Sequence, residues 1–290
     1  MKQGLIIKVN AGLYDVIADS KVYQCRARGK CRIKEETPLA GDMVNFDDKE
    51  LYLMELLPRK NKFIRPQVAN VDQAIIVASV TNPEISLKLL NRFIVMCLVV
   101  EIRPIVVLSK IDLIEKDANI YSEIDQAFKD LNFKLIKYSS KTNVGLNEIT
   151  KLLDGKVSIL TGQTGVGKST LINQILPNVN LETGAISKAL GRGKHITRVV
   201  EFFEFKKGWI VDTPGFSMID IDFQPIELAT HYPGFKDLFN HCKFNDCLHE
   251  NETGCAIKKA TDNGKITLEH YQVYRDILAE LKQKKKERYQ

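Results

Sequence analysis

Gly162-Gln163-Thr164-Gly165-Val166-Gly167-Lys168-Ser169 is the stretch on which the reading of this chain turns. It fits G-x-x-x-x-G-K-[ST] and stands between an apolar strand pattern, 157–160, and a helical pattern that runs to about Ile175. Strand, glycine-rich turn and helix in that order make a phosphate-binding loop. The glycines let backbone N–H groups wrap the phosphates, and the helix start at Ser169 adds its dipole to the anion site. Lys168 is placed to reach the β- and γ-phosphates and the Ser169 hydroxyl to bind magnesium. The expected nucleotide-binding run extends through Thr170.

Downstream, Asp212-Thr213-Pro214-Gly215 fits D-x-x-G at the end of the short apolar strand 209–211, 44 residues after Lys168. Asp212 is the expected second magnesium contact, through water, and the Gly215 N–H faces the γ-phosphate. Between the two motifs lies Gly191-Arg192-Gly193-Lys194-His195-Ile196-Thr197-Arg198, a basic loop punctuated by glycine. Thr197 is a candidate ligand of both magnesium and the γ-phosphate, which makes the loop's order depend on an intact triphosphate.

Upstream, Ser109-Lys110-Ile111-Asp112 closes the apolar strand 104–108. A carboxylate at Asp112 accepts hydrogen bonds from guanine N1 and N2, donors that adenine lacks in that pattern. The Lys110 stem can lie along the base plane. Ser139-Ser140-Lys141 follows the strand 134–138, where backbone N–H groups can meet guanine O6. Either motif alone is ordinary for a polar strand end; together, after successive strands of one sheet, they describe a base site.

Residues 70–220 alternate strand and helix: strand 71–80, a helix capped by Ser86 and running to about Val100, strand 104–108, helix 122–131, strand 134–138, helix 146–153 and strand 157–160. Such alternation implies an α/β domain with a mostly parallel sheet covered by helices. Residues 1–65 read instead as five short strands broken by Gly, Asp and Asn, an all-β barrel. Arg26, Arg28, Lys30, Arg32 and Lys34 are two apart, so they share one face, a candidate RNA-binding stripe, with Cys25, Ala27, Cys31 and Ile33 opposite. From residue 221 the strand pattern stops. A terminal helix carries Tyr271, Tyr274, Leu278 and Leu281 as one apolar stripe and ends in a basic tail.

The 290 residues are 44% hydrophobic and 27% charged, which excludes wholesale disorder, collagen-like sequence and coiled coil. The longest uninterrupted apolar stretch, 93–100, has eight residues, against about 20 for a membrane span. No signal-peptide pattern opens the chain, so the expectation is a cytoplasmic protein without membrane association. The net charge of +6 divides as +4 in 1–65, +2 in 66–220 and none in 221–290, although the last nine residues hold five Lys/Arg against one Glu. Basic ends suggest an anionic partner. Cys242, Cys247 and Cys255 fall within fourteen residues with His249 among them. In a cytoplasmic chain such a group reads as metal ligands, with His241 the competing imidazole and zinc the favoured ion.

The order of these motifs, base motif first and phosphate loop later, resembles a circularly permuted GTPase. The chain is similar to the ribosome small-subunit-dependent GTPase A family, over essentially its whole length. The family's C-x4-C-x-H-x5-C pattern is matched at Cys242, Cys247, His249 and Cys255. The resemblance implies three parts: an OB-fold RNA-binding barrel at 1–65, a circularly permuted P-loop GTPase domain at 66–220, and a small α-helical zinc-binding domain with a basic helix at 221–290. It implies one structural zinc, magnesium with GTP, hydrolysis to GDP in late maturation of the small ribosomal subunit, and that subunit and its rRNA as partners of a monomer. Two features depart from the pattern of many GTPases. Phe216 stands where a glutamine orients the attacking water, which leaves His195 as the candidate for that role, with RNA contact or turn capping as its alternatives. Ser109 stands where the base motif begins with Asn, so a weaker bond to guanine N7 and weaker bracing of the phosphate loop are expected. A P-loop ATPase and an RNA-binding scaffold that does not turn its nucleotide over are the rival readings.

Overall fold

Period-two burial closes the first five strands on themselves. The strands β1 (Lys2–Asn10), β2 (Leu13–Ala18), β3 (Lys21–Ala27), β4 (Met43–Asp47) and β5 (Tyr52–Leu56) form a closed barrel in the order β1-β2-β3-β5-β4. Ile6, Tyr14, Val16, Cys25, Val44, Phe46 and Leu53 fill it. The computed structural model describes residues 1–27, 37–63, 67–113, 133–179, 200–212 and 223–288. Arg26 is exposed on β3. Ala27, expected on the inner face with Cys25, is also exposed, although it still pairs with Leu53 of β5. Arg28, Lys30, Arg32 and Lys34 lie outside the described residues.

Two short strands, β6 (Lys62–Phe63) and β7 (Val68–Ala69), lead out of the barrel. At this junction Asp42 is fully buried and holds Arg59 bidentately, Nε on Oδ1 and the second nitrogen on Oδ2, both at 2.7 Å.

The central sheet comprises β8 (Gln73–Ser79), β9 (Arg103–Ser109), β10 (Lys134–Lys137), β11 (Val157–Thr161), β12 (Glu201–Phe205) and β13 (Gly208–Asp212), ordered β10-β9-β8-β11-β13-β12. All pairs are parallel except β12 with β13. That antiparallel edge hairpin turns at Lys206, whose φ is +51°, and it extends the mostly parallel sheet that the sequence predicts. The inner strands are buried almost without interruption, as strands covered on both faces must be.

Helix α1 (Leu87–Val99) starts where Ser86 Oγ accepts the Leu89 N–H at 3.3 Å, the expected cap. It packs Leu90, Phe93, Ile94 and Cys97 on one face of the sheet. Helices α2 (Leu146–Leu153) and α3 (Lys168–Ile175) cover the other with Ile149, Leu153, Leu171 and Ile172. The helix expected at 122–131 lies outside the described residues.

The C-terminal part is helical: α4 (Pro225–His231), α5 (Lys236–Phe239), α6 (Ala256–Asp262) and α7 (Leu268–Arg288). Tyr271, Tyr274, Leu278 and Leu281 of α7 are buried as the stripe predicts, and Ile277 joins them. Val95 of α1 belongs to this same core, and Glu280 of α7 pairs with both Lys88 and Arg92 of α1. Among the described residues, no helix is long and apolar enough to cross a membrane.

Candidate functional site

Parallel strands deliver their C-terminal ends to one edge of a sheet, and ligands of such folds bind outside that edge. Here β9 ends at Ser109, β10 at Lys137, β11 at Thr161 and β13 at Asp212. Register places Leu160 opposite Asp212, so this carboxylate stands beside the start of the glycine loop. The base motif, the Ser139–Lys141 loop, the glycine loop and Asp212 therefore share one edge.

The loop 162–167 depends on backbone conformations that other residues resist. Gly162 has φ +139°, and a Cβ there would lie 2.1 Å from the Val77 carbonyl of β8. Gly165 and Gly167 follow with φ +85° and +98°. Val166 is buried between them, and helix α3 begins at Lys168, with Ser169 and Thr170 in its first turn. Lys168 donates from Nζ to the carbonyls of Gly162 at 2.8 Å and Gln163 at 2.9 Å. Burial pushes this ammonium's pKa below its ordinary value, and the nearby Asp212 carboxylate opposes the shift. The result is a cation held inside the loop, where phosphate oxygens are its natural counter-charge.

Ser109 is buried at the end of β9. Its hydroxyl donates to the Val166 carbonyl at 2.6 Å, with the Ala78 carbonyl 3.2 Å away. The weakened bracing expected of serine is not what the structure shows, because β9 comes close enough to the loop for the shorter side chain to reach it. Lys110, at φ +60°, donates to the Asn82 carbonyl. Ile111–Leu113 form a single 3₁₀ turn that presents Asp112 to solvent. Ser139 is buried and donates from Oγ to Asp112 Oδ1 at 2.6 Å, while accepting the Thr142 N–H at 3.1 Å. Lys141 is exposed.

One residue of this network carries no signal in the sequence. Gln174 of α3 donates to the Ser140 carbonyl at 2.7 Å and accepts from the Tyr138 hydroxyl. It joins the helix after the glycine loop to the Ser139–Lys141 loop, across more than 30 residues of chain. His195, Thr197, Gly215 and Phe216 lie outside the described residues.

Far along the chain, Cys242, Cys247, His249 and Cys255 bring their ligand atoms within 4.8 Å of one another. His241 is exposed and not part of this group. Tetrahedral zinc with ordinary Zn–S and Zn–N bonds requires S···N edges of about 3.5 Å. The Sγ atoms of Cys255 and Cys242 lie 3.4 and 3.7 Å from His249 Nδ1. The ring's other nitrogen, Nε2, faces the Ala229 carbonyl at 3.4 Å, the outer partner that a ligating imidazole needs. Backbone N–H groups of Ala256 and Lys258 point at the Cys242 and Cys255 sulfurs, each at 3.4 Å. Burial pushes the Cys247 thiol up to about 12, so thiolates gathered here require a cation. The donor set fits a metal such as zinc.

Residues 56–222 match the family described as RsgA GTPase, and residues 3–51 match the RsgA N-terminal domain. The chain is 42% identical to the small ribosomal subunit biogenesis GTPase RsgA of Caldanaerobacter subterraneus subsp. tengcongensis, covering 99% of this chain and 98% of that relative. Identity to the protein of the same description from Geobacillus thermodenitrificans is also 42%, over 98% and 99%. Among solved structures, YloQ, a circularly permuted GTPase, superposes with a TM-score of 0.79 at 36% identity, covering 98% of this chain and 96% of that one. YjeQ from Thermotoga maritima gives 0.80 at 32%, covering 96% and 98%. A base motif that precedes its glycine loop in the chain, a barrel ahead of both, and full-length likeness to circularly permuted GTPases have one account: the chain belongs to the RsgA GTPase family.

Proposed function

We propose that the chain binds GTP at the common sheet edge, hydrolyses it to GDP, and uses the cycle in maturation of the small ribosomal subunit, which stimulates turnover. The carrying observation is the convergence of the glycine loop after β11, Asp112 after β9 and Ser139 after β10. Residues 162–170 would cradle the phosphates and Asp112 would read guanine N1 and N2. Water attacks the γ-phosphorus, the bond to the β,γ-bridging oxygen breaks, and GDP with inorganic phosphate results. Lys168 spreads the charge that develops on the phosphate oxygens. His195 is our candidate for orienting the water. Ser169, Thr197 and Asp212 would hold magnesium, which supplies further charge neutralisation when bound with the nucleotide.

The division of labour proposed is a barrel at 1–65 and a zinc-binding part at 221–290 that contact rRNA, around a GTPase domain at 66–220. Arg26 and the stripe that follows it would meet phosphates, and Cys242, Cys247, His249 and Cys255 would hold one structural zinc. The relatives' description as small ribosomal subunit biogenesis GTPases supports this reading and, with it, a cytoplasmic site of action. A monomer is the proposed state. Phosphate release from GTP and from ATP, with and without purified small subunits, tests the proposal. Release specific to GTP and accelerated by subunits is expected; equal release from ATP, or none from GTP with saturating subunits, overturns it.

A further inference from the structure

We infer that Ser109 is a positioning residue that ties the base-reading strand to the phosphate loop and, by spending its single proton there, leaves guanine N7 unread. The inference rests on the guanine-nucleotide reading of the site and deepens it.

A serine hydroxyl has one proton. That of Ser109 has two carbonyls in reach, Val166 at 2.6 Å and Ala78 at 3.2 Å, and both are acceptors only. The group is 2% exposed, so no water competes for the bond. Guanine N7 is likewise an acceptor only, and a proton committed to a carbonyl cannot also serve it. Position 109 is three residues before Asp112 and touches the glycine loop at Val166. In the proposed site it would therefore stand between the group assigned to the Watson–Crick edge and the loop assigned to phosphate, on the side of the purine's imidazole half.

Among the described residues, the ammonium groups of Lys110 and Lys168 are directed elsewhere. Lys110 Nζ donates to the Asn82 carbonyl, and Lys168 Nζ to those of Gly162 and Gln163. An asparagine amide at 109 would carry two protons, one for Val166 and one for N7. Serine keeps the first bond and drops the second. Base selection then falls on Asp112, aligned by the Ser139 proton. Such a site distinguishes guanine from adenine and accepts guanine nucleotides altered at position 7.

The test is calorimetric titration of the full chain with GDP, 7-deaza-GDP and ADP. The wild-type protein is expected to prefer GDP over 7-deaza-GDP by less than about twofold, because no hydrogen bond is lost. Ser109→Asn is expected to prefer GDP by about threefold or more, the worth of one such bond. Ser109→Ala is expected to weaken both nucleotides by one common factor, about threefold to tenfold, through the loosened loop. A larger wild-type preference for GDP overturns the inference, and so does a Ser109→Asn protein that gains none. Unchanged affinities in Ser109→Ala remove the bracing role. Failure of GDP itself to bind, or binding of ADP as tight as GDP, instead removes the guanine reading on which the inference stands.

Discussion

Ser139 gives its hydroxyl proton to Asp112 Oδ1 at 2.6 Å, joining the loops that follow two neighbouring strands, β10 and β9. The bond fixes one carboxylate oxygen and with it the direction of the other. Ser139→Ala should weaken GDP binding by about threefold to tenfold with little change in the unfolding midpoint. Asp112→Asn replaces one of the two carboxylate acceptors with an NH2 donor, which conflicts with the guanine N2 amino group and suits the C2 carbonyl of xanthine. Titrations with guanosine and xanthosine diphosphates should show the preference invert.

The glycine loop separates two kinds of constraint. A Cβ on Gly162 meets the Val77 carbonyl at 2.1 Å, whereas one on Gly167 meets nothing within 4 Å. Gly162→Ala must push the loop off β8, so nucleotide binding should vanish and the melting temperature drop. Gly167→Ala keeps its space and bears only the strain of positive φ, about 1–2 kcal/mol. Its fold should survive by circular dichroism, with binding reduced.

Cys247→Ser and His249→Ala should each empty the metal cluster, while His241→Ala should leave metal content at that of wild type. Structural zinc sites contribute on the order of 10 kcal/mol to the folding of small modules. Loss of metal should therefore release the helices packed on Tyr271 and Tyr274, whose hydroxyls donate to the backbone of the metal loop at His249 and Leu248. Elemental analysis and helical ellipticity measure both outcomes.

The ion pair at the barrel junction is buried on the acid side and nearly so on the other. Arg59→Met leaves the Asp42 carboxylate without its bidentate partner, and breaking such pairs costs about 3–5 kcal/mol. Urea melts should show that loss, with part of it recovered in the double variant Asp42→Leu/Arg59→Met.

Asp72 links the strand leaving the barrel to the GTPase sheet. Burial alone would raise its carboxyl, but the Lys60 ammonium at 2.7 Å and the Val157 N–H at 2.8 Å outweigh it and hold the pKa below the ordinary 3.8. A carboxyl depressed in the folded state stabilises it above the unfolded pKa, and the contribution fades as pH falls through the folded value. Asp72→Asn should thus be less stable than wild type at pH 7, with the gap narrowing toward pH 3 in parallel urea melts.

Much of this architecture can be read in the residues. The helix at 146–153 and the capping role of Ser86 are marked by local periodicity and a local hydrogen bond, which any window of sequence contains. The metal cluster is marked by spacing, and burial of His249 against exposure of His241 follows it. Other features have no local trace. Gln174 acts on residues 34 positions away, so nothing near it in sequence announces the contact. The strand at Glu201–Phe205 mixes two glutamates with three phenylalanines without strict alternation, and only pairing with Gly208–Asp212 marks it as a strand. Ser109 shows why composition misleads at a site: a shorter side chain suggests a lost bond, and strand approach restores it.

The central pairing of β8 with β11 joins Gln73 to Ser158, 85 residues apart, and has a consequence for the birth of the protein. A nascent chain carries Asp112 long before Lys168 is translated, and Asp212 comes later still. Half a nucleotide cleft leaves the exit tunnel with nothing to close against. Ligand can assist only the last stage of maturation of the polypeptide itself, once the slow, distant strand has slotted beside its predecessor.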